Sequence, residues 1–322
     1  MSPTRRRVVF WAGAALGVFL VVLLLARYEL SVVVQPLRQS RIHFLAAVLG
    51  LQLTIQVINA VTPVVLLGQA VDGAMSFWAR TRVFLAGQPL ALVAPGRLTD
   101  FGVIPLLKAH YKPGALASSI VLDRLITLFF LLLLTPLALR LAWPGSSTGA
   151  TNMLVLVALV VVASTPFLFV NAHVREIVNK TVLRLWPSLL EGFGAHIDAL
   201  LYTSWKRLLG NLCLTIVKTV LAGASISLLA ANVGLPLGLL TAIWMSILIQ
   251  IVTSVPIAPQ GLGVAEGLLV LLFEVNEFPG ALALSMGIVA RTLFIPVMVA
   301  IYCGATLPLI AQRVANRAAP DR

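Results

Sequence analysis

Residues 254–274, SVPIAPQGLGVAEGLLVLLFE, interrupt a long apolar run with Pro256, Pro259, Gly261 and Gly263 and then place Glu266 where lipid is expected. As a helix, the run that resumes over 263–275 reaches only about 20 Å, short of the roughly 30 Å of bilayer hydrocarbon. The sequence therefore predicts that 237–254 enters the membrane and 263–275 returns to the same face, a re-entrant hairpin. Every backbone N–H and C=O in lipid needs a partner, so such a turn is tolerated only where other helices bury it or where it lines a wet cavity. The helix breakers mark a site.

Bulk composition sets the solvent. The 322 residues are 60% hydrophobic and 11% charged, with mean hydropathy +1.02, which excludes an ordinary water-soluble domain. Formal net charge is +12, from 23 Lys and Arg against 11 Asp and Glu. These cations lie between apolar runs and not in a patch interleaved with aromatics, so they read as anchors toward anionic lipid; no nucleic-acid partner is expected. Cys213 and Cys303 are far apart and inside apolar runs, which gives neither metal spacing nor a disulfide framework and reads as packing. His43, His110, His173 and His196 are scattered singly and read as solvated. No cofactor or metal is expected.

Arg5, Arg6 and Arg7 precede an apolar run over 8–26 that is long enough to span and lacks a small-x-small cleavage site, so it reads as a first transmembrane helix. Further spans are expected at 44–71, 115–142, 151–170, 208–231 and 281–311. A second broken stretch, 83–108, turns at APGRLTD, with Pro95, Gly96, Arg97 and Asp100. Lysines and arginines place 72–112, 171–207 and both termini on the cytoplasmic side of a bacterial-type inner membrane, and the outside segments 140–150, 232–236 and 274–280 are poor in them. The 27–41 loop, with three arginines, fits that pattern poorly. Segment 171–207 alternates apolar and basic positions at helical spacing, as a cytoplasmic amphipathic helix lying on the membrane does.

The two broken stretches resemble each other. In each a Pro-containing turn leads to a carboxylate, Asp100 or Glu266; 13 residues later stands the pentamer PGALA, at Pro113 and Pro279, and a long helix then carries Arg124 or Arg291. The expected fold is all-α: one polytopic transmembrane domain over 1–322, with about six full spans and two re-entrant helical hairpins. The hairpins belong to an inverted repeat with halves near 44–142 and 208–312. Inverted repeats of this kind place transporter sites near mid-depth, where half-helix ends meet.

Charge at that depth costs a few kcal/mol on insertion scales and needs a partner or a purpose. Arg97, Lys218 and Arg291 either line a polar groove that neutralises a phosphate, helped by the half-helix N-terminus after PQGLG, or pair internally with Asp100, Asp123 and Glu266. Arg124 is a candidate headgroup ligand too, although Asp123 and Arg124, as sequence neighbours, point about 100° apart on a helix and are expected to pair with other helices. Glu266, in the first turn of its half-helix, is either a cap or a group that couples protons or holds Arg291. Gln52, Gln56 and Asn59 share a stripe at helical spacing, as interhelical glue or as substrate contacts.

SVPIAPQGLGVAEG resembles the Pro-x-x-Pro-x-Gly-x-Gly-x-x-Glu signature of the lysylphosphatidylglycerol synthase transmembrane, flippase-like, family. LVAPGRLTD and SSIVLDRL resemble that family's Pro-Gly-Arg-Leu-Gly-Glu and Asp-Arg-Leu elements, with Thr99 for the usual Gly and Asp100 for the usual Glu. The resemblance runs over roughly 44–312 in the same motif order. Larger members carry a soluble aminoacyl-transferase domain after this unit; none is expected here, so the resemblance implies the translocation half, not an enzyme. It implies movement of an anionic or polyprenyl-phosphate-linked lipid between leaflets. Expected partners are that lipid, a second copy of the chain and a separate lipid-modifying enzyme. A secondary transporter of a small anion shares the same mid-depth cations. A membrane-embedded transferase would need an acid and base pair near an aqueous face, for which only Glu274 and Glu277 offer themselves outside.

Overall fold

Hydrogen bonds at the two ends of the molecule sort its helices into an alternating bundle. The computed structural model describes residues 3–28, 40–68, 75–89, 102–107, 111–142, 193–254 and 261–311, with a few more between 31 and 38. The turn residues Pro95, Gly96, Arg97, Asp100, Pro256 and Pro259, the span 151–170 and segment 171–192 lie outside the described residues. The helices are α1 (Pro3–Arg27), α2 (Ile42–Leu67), α3 (Phe77–Gly87), α4 (Ile104–Leu107), α5 (Pro113–Ala142), α6 (Phe193–Thr203), α7 (Trp205–Asn232), α8 (Leu239–Ser254), α9 (Val264–Glu274) and α10 (Gly280–Ile301). A π turn, Tyr302–Thr306, carries α10 on toward Ala311. No strand occurs among the described residues. The chain is an all-α, polytopic membrane protein, in which α2, α5, α7 and α10 with its extension are each long and apolar enough to cross a bilayer.

At one end, Arg27 and Tyr28 donate to Glu274 Oε1 at 2.9 and 2.5 Å. Asn232 Oδ1 there accepts from Arg41 N–H at 2.9 Å, its Nδ2 donates to Ser40 Oγ at 2.9 Å, and Asn276 Nδ2 donates to the Ala142 carbonyl at 2.7 Å. At the other end, Thr306 Oγ1 donates to the Ala86 carbonyl at 2.9 Å, and the Arg207 guanidinium lies over Gly68. Segments that the charge pattern assigns to one side thus gather at one end. The poorly fitting 27–41 loop is among them, because Arg27 meets Glu274 there.

Local sequence explains where these helices stop and start. Gly68 ends α2 at φ +72°, a conformation that a side chain resists. Ser76 opens α3 by accepting the Ala79 N–H at 3.2 Å, so this helix begins at Phe77, several residues before the broken stretch read at 83–108. Beyond its turn, that stretch contains only the short α4 as an α-helix among its described residues. In the core, α7 packs on α2 and α8, and α8 on α5. A Cβ at Gly223 would stand 2.6 Å from Ile243 Cα, so the α7–α8 crossing is close enough to require glycine.

Helices α8 and α9 start and finish at the same end. Leu237, just before α8, accepts from Ser227 near the close of α7, and Glu274 closes α9 against Arg27 and Tyr28. At 16 and 11 residues, the two helices reach only about 24 and 17 Å. The start of α9 lies beside the middle of α1: a Cβ at Gly263 would meet the Gly17 carbonyl and Leu20. Gly17 is about 15 Å along the helix axis from Arg27, so α9 runs beside the second half of α1.

Candidate functional site

Where α2, α7, α8, α9 and α10 converge, they line an open cavity of about 500 Å³. Most of its lining is apolar. Polar groups come from Gln52 and Gln56 of α2, Ser225 of α7, Ser246, Gln250 and Thr253 of α8, Glu266 of α9 and Arg291 of α10. The Gln52 and Gln56 stripe read from the sequence faces this cavity, and Asn59 Nδ2 reaches back to Gln56 Oε1 at 3.5 Å. Gln52 and Gln56 lie near the middle of α2, so the cavity sits partway down the bundle.

Glu266 and Arg291 form its charged wall. Arg291 grips the carboxylate with two donors, Nε on Oε1 and Nη2 on Oε2, the latter at 3.1 Å. Glu266 Oε2 also accepts the Gly263 N–H at 2.7 Å, capping α9 from its own first turn. The Glu266 side chain is 4% exposed and that of Arg291 30%. Gly261 and Gly263 adopt φ +63° and +77° in the turn that sets up this cap, and neither has room for a Cβ. Both readings offered for Glu266 as a structural group, cap and holder of Arg291, are therefore realised together. The chain's own carboxylate occupies the half-helix N-terminus that the sequence offered to an anion.

Two buried atoms in the cavity wall have no hydrogen-bond partner among the described residues, Gln52 Oε1 and Gln250 Nε2. Gln52 is oriented by its Nε2, which donates to the Ala290 carbonyl at 3.1 Å, so its oxygen is left as a buried acceptor.

Asp123, Arg124 and Lys218 assemble separately, between α2, α5 and α7. Asp123 is fully buried and accepts from Asn211 Nδ2 at 2.9 Å; the same Nδ2 donates to the Thr62 carbonyl at 3.0 Å. Lys218, 3% exposed, donates to Thr127 Oγ1 at 3.1 Å, close enough for its charge to act on Asp123. Arg124 Nη1 lies 3.4 Å from Asp123 Oδ2. The neighbours Asp123 and Arg124 thus face each other despite their angular offset, since a long guanidinium stem can fold back along the helix. Sequence reasoning missed Asn211, Ser225 and Gln250. The signal for the first two was present: Asn211, Lys218, Ser225 and Asn232 recur every seven residues and keep one polar stripe along α7.

Two smaller readings are corrected. Cys213 and Cys303 are exposed on the outside of the bundle and are not packing residues. His196 is partly buried in α6, not solvated, and burial together with the Arg207 charge holds its imidazole below the ordinary range, while a bond to the Leu66 backbone opposes that shift. Among the described residues, no three His, Cys, Asp or Glu side chains converge as metal ligands would.

A family model described as the lysylphosphatidylglycerol synthase TM region matches residues 10–301, nearly the whole chain. No curated protein and no solved structure matches it.

Proposed function

The chain belongs to the lysylphosphatidylglycerol synthase transmembrane family, and from that premise we propose that it carries a lipid with an anionic phospholipid or polyprenyl-phosphate headgroup from one leaflet to the other. One observation carries the reading. A mostly apolar cavity partway down the bundle holds a guanidinium bonded to Glu266 and, beside it, two amide atoms that have no hydrogen-bond partner among the described residues, which suits a polar headgroup whose tails stay in lipid. Its apolar lining favours an amphiphile over a small free anion.

In this reading, α8 and α9 are the re-entrant hairpin, dipping to the depth of Gly17 and returning. Its counterpart is the sequence motif around Pro95 and Asp100, which lies outside the described residues, in an inverted repeat whose long helices are α5 and α10. Arg124 and Lys218 serve the headgroup on the other half of its path, with Asp123 as their resting partner. The protein sits in a bacterial-type inner membrane with both termini cytoplasmic, and it moves its substrate without chemical change.

Liposomes reconstituted with the purified chain test this proposal. Fluorescent phosphatidylglycerol and polyprenyl phosphate in the outer leaflet are followed by a membrane-impermeant quencher. Faster loss of quenchable probe than in protein-free vesicles is expected for at least one of them, and unchanged rates for both would sink the reading.

A further inference from the structure

Among the described residues, the charges in the cavity wall cancel: its lining contains one carboxylate and one guanidinium, Glu266 and Arg291, bonded to each other. Among the described residues, the elements packed on α9 bring Glu266 no other charge. From α10 comes Arg291, from α8 Gln250 and Thr253, from α1 Gly17, Leu20 and Leu24, and across the cavity α2 adds Gln52 and Gln56. Arg27 is engaged at the far end of α9 with Glu274. The intervening turn, 255–260, reads Val-Pro-Ile-Ala-Pro-Gln and has no ionisable side chain.

A phosphate that takes Arg291 for itself strips Glu266 of its cation and leaves a buried carboxylate beside a buried phosphate. That state is costly for a carboxylate only 4% exposed, unless it gives up its charge. Resting on the translocase reading, we infer that Glu266 takes up one proton from water as a phosphate-bearing headgroup replaces it on Arg291, so that lipid and proton travel together. The charge count closes: guanidinium and phosphate cancel, and the protonated carboxyl is neutral. On release, the proton returns to water and Glu266 rebinds Arg291.

The two unpartnered atoms support this exchange. An ionised carboxylate only accepts hydrogen bonds, whereas a protonated carboxyl adds an O–H donor to a cavity whose wall holds an unpartnered acceptor, Gln52 Oε1. Phosphate oxygens in turn accept from Gln250 Nε2. Glu266 Oε2 keeps the Gly263 N–H throughout, which holds the carboxyl at the cavity wall while both oxygens give up Arg291.

Binding of dioctanoyl phosphatidylglycerol to the detergent-purified chain is the test, read by tryptophan fluorescence or calorimetry between about pH 8 and pH 5, with one proton per lipid corresponding to about tenfold in affinity per pH unit over the coupled range. Wild type is expected to tighten on acidification with that slope. Glu266→Gln, permanently neutral, is expected to bind with no slope and at least as tightly as wild type at the alkaline end. In vesicles, a trapped pH dye is expected to report proton movement with lipid movement in wild type. A wild-type affinity that ignores pH, or a Glu266→Gln slope equal to wild type, overturns the coupling while leaving translocation standing. Absence of any lipid binding or movement overturns both. Should Glu266→Gln not fold, the wild-type slope and the dye signal decide alone.

Discussion

Gly287 of α10 lies flat against Glu266: a Cβ at this position would stand 3.0 Å from Glu266 Cγ, and the next nearest atoms are also Glu266's own. The glycine makes the space in which the carboxylate reaches both Arg291 and the Gly263 N–H. Gly287→Val is expected to push the carboxylate off its partners, lower stability by about 1–3 kcal/mol and weaken lipid movement, with Gly287→Ala milder. Thermal unfolding in detergent measures the first effect and the vesicle assay the second. A Gly287→Val protein equal to wild type in both would show that the Glu266 geometry is not required.

Breaking the ion pair from either side should cost more than removing it whole. Arg291→Met leaves Glu266, 4% exposed, without its cation. The penalty for halving a buried pair is about 3–5 kcal/mol, and we expect about 2–4 because Arg291 is partly exposed. Glu266→Gln with Arg291→Met removes the stranded charge and should recover part of that loss. A double-mutant cycle on unfolding free energies measures the coupling; additive effects would contradict the bonded geometry.

The parts of this fold that follow from local chemistry were legible in the sequence. Apolar length identified α2, α5, α7 and α10 because a bilayer demands about 20 apolar residues, and the breakers around Gly261 and Gly263 located the turn before α9 because φ near +70° excludes most side chains. Glu266 was legible as a cap from its place in the first turn of α9. What the sequence could not reveal were meetings across hundreds of residues, such as Tyr28 with Glu274 or Asn211 with Asp123. Hydropathy reports how greasy a segment is and is silent on which face meets which neighbour. The start of α3 was missed for a related reason: Ser76 caps a helix whose first turns are too polar to register as a membrane segment.

Acid should loosen the contact between α6 and the end of α2. His196 is held below its ordinary value of 6.5 first by burial and then by the Arg207 charge, against an opposing bond to the Leu66 backbone. A depressed histidine favours the neutral form in the fold. Its contribution is complete above about pH 6.5 and is lost as pH falls through the lower folded value. Melting temperature should drop on acidification across that window, and His196→Gln should flatten this component. An unchanged slope in the variant would place the acid sensitivity elsewhere.

Alkali should act at the other end of the molecule. Tyr28, just past α1, has its phenol pushed up to about 12 by burial first, then by its hydrogen bond to Glu274 and the charge of Glu274, with Arg27 pulling the other way. The raised value means that this contact is intact below about pH 10 and is lost as pH climbs toward 12. Ultraviolet titration of wild type against Tyr28→Phe should reveal one phenolate that forms late. A difference spectrum that titrates near 10 would contradict the Tyr28–Glu274 bond.

Asn211 ties three helices through one amide nitrogen: Nδ2, on α7, reaches the Asp123 carboxylate of α5 and the Thr62 carbonyl of α2. With Asp123 fully buried, each donor it keeps matters more than a surface hydrogen bond does. Asn211→Leu is close in size but donates nothing, so it should destabilise the protein by about 2–3 kcal/mol, the range for a bond to a charged group. Asn211→Gln, which keeps the amide on a longer stem, should recover part of this. Pairing Asn211→Leu with Asp123→Leu should cost less than the sum, because the stranded carboxylate is then gone. These residues do not line the cavity, so Asn211→Leu should leave the pH slope of lipid binding in place even where the melting temperature falls. Loss of that slope in a folded Asn211→Leu protein would instead join the α5–α7 cluster to proton movement and remove Glu266 as its sole carrier.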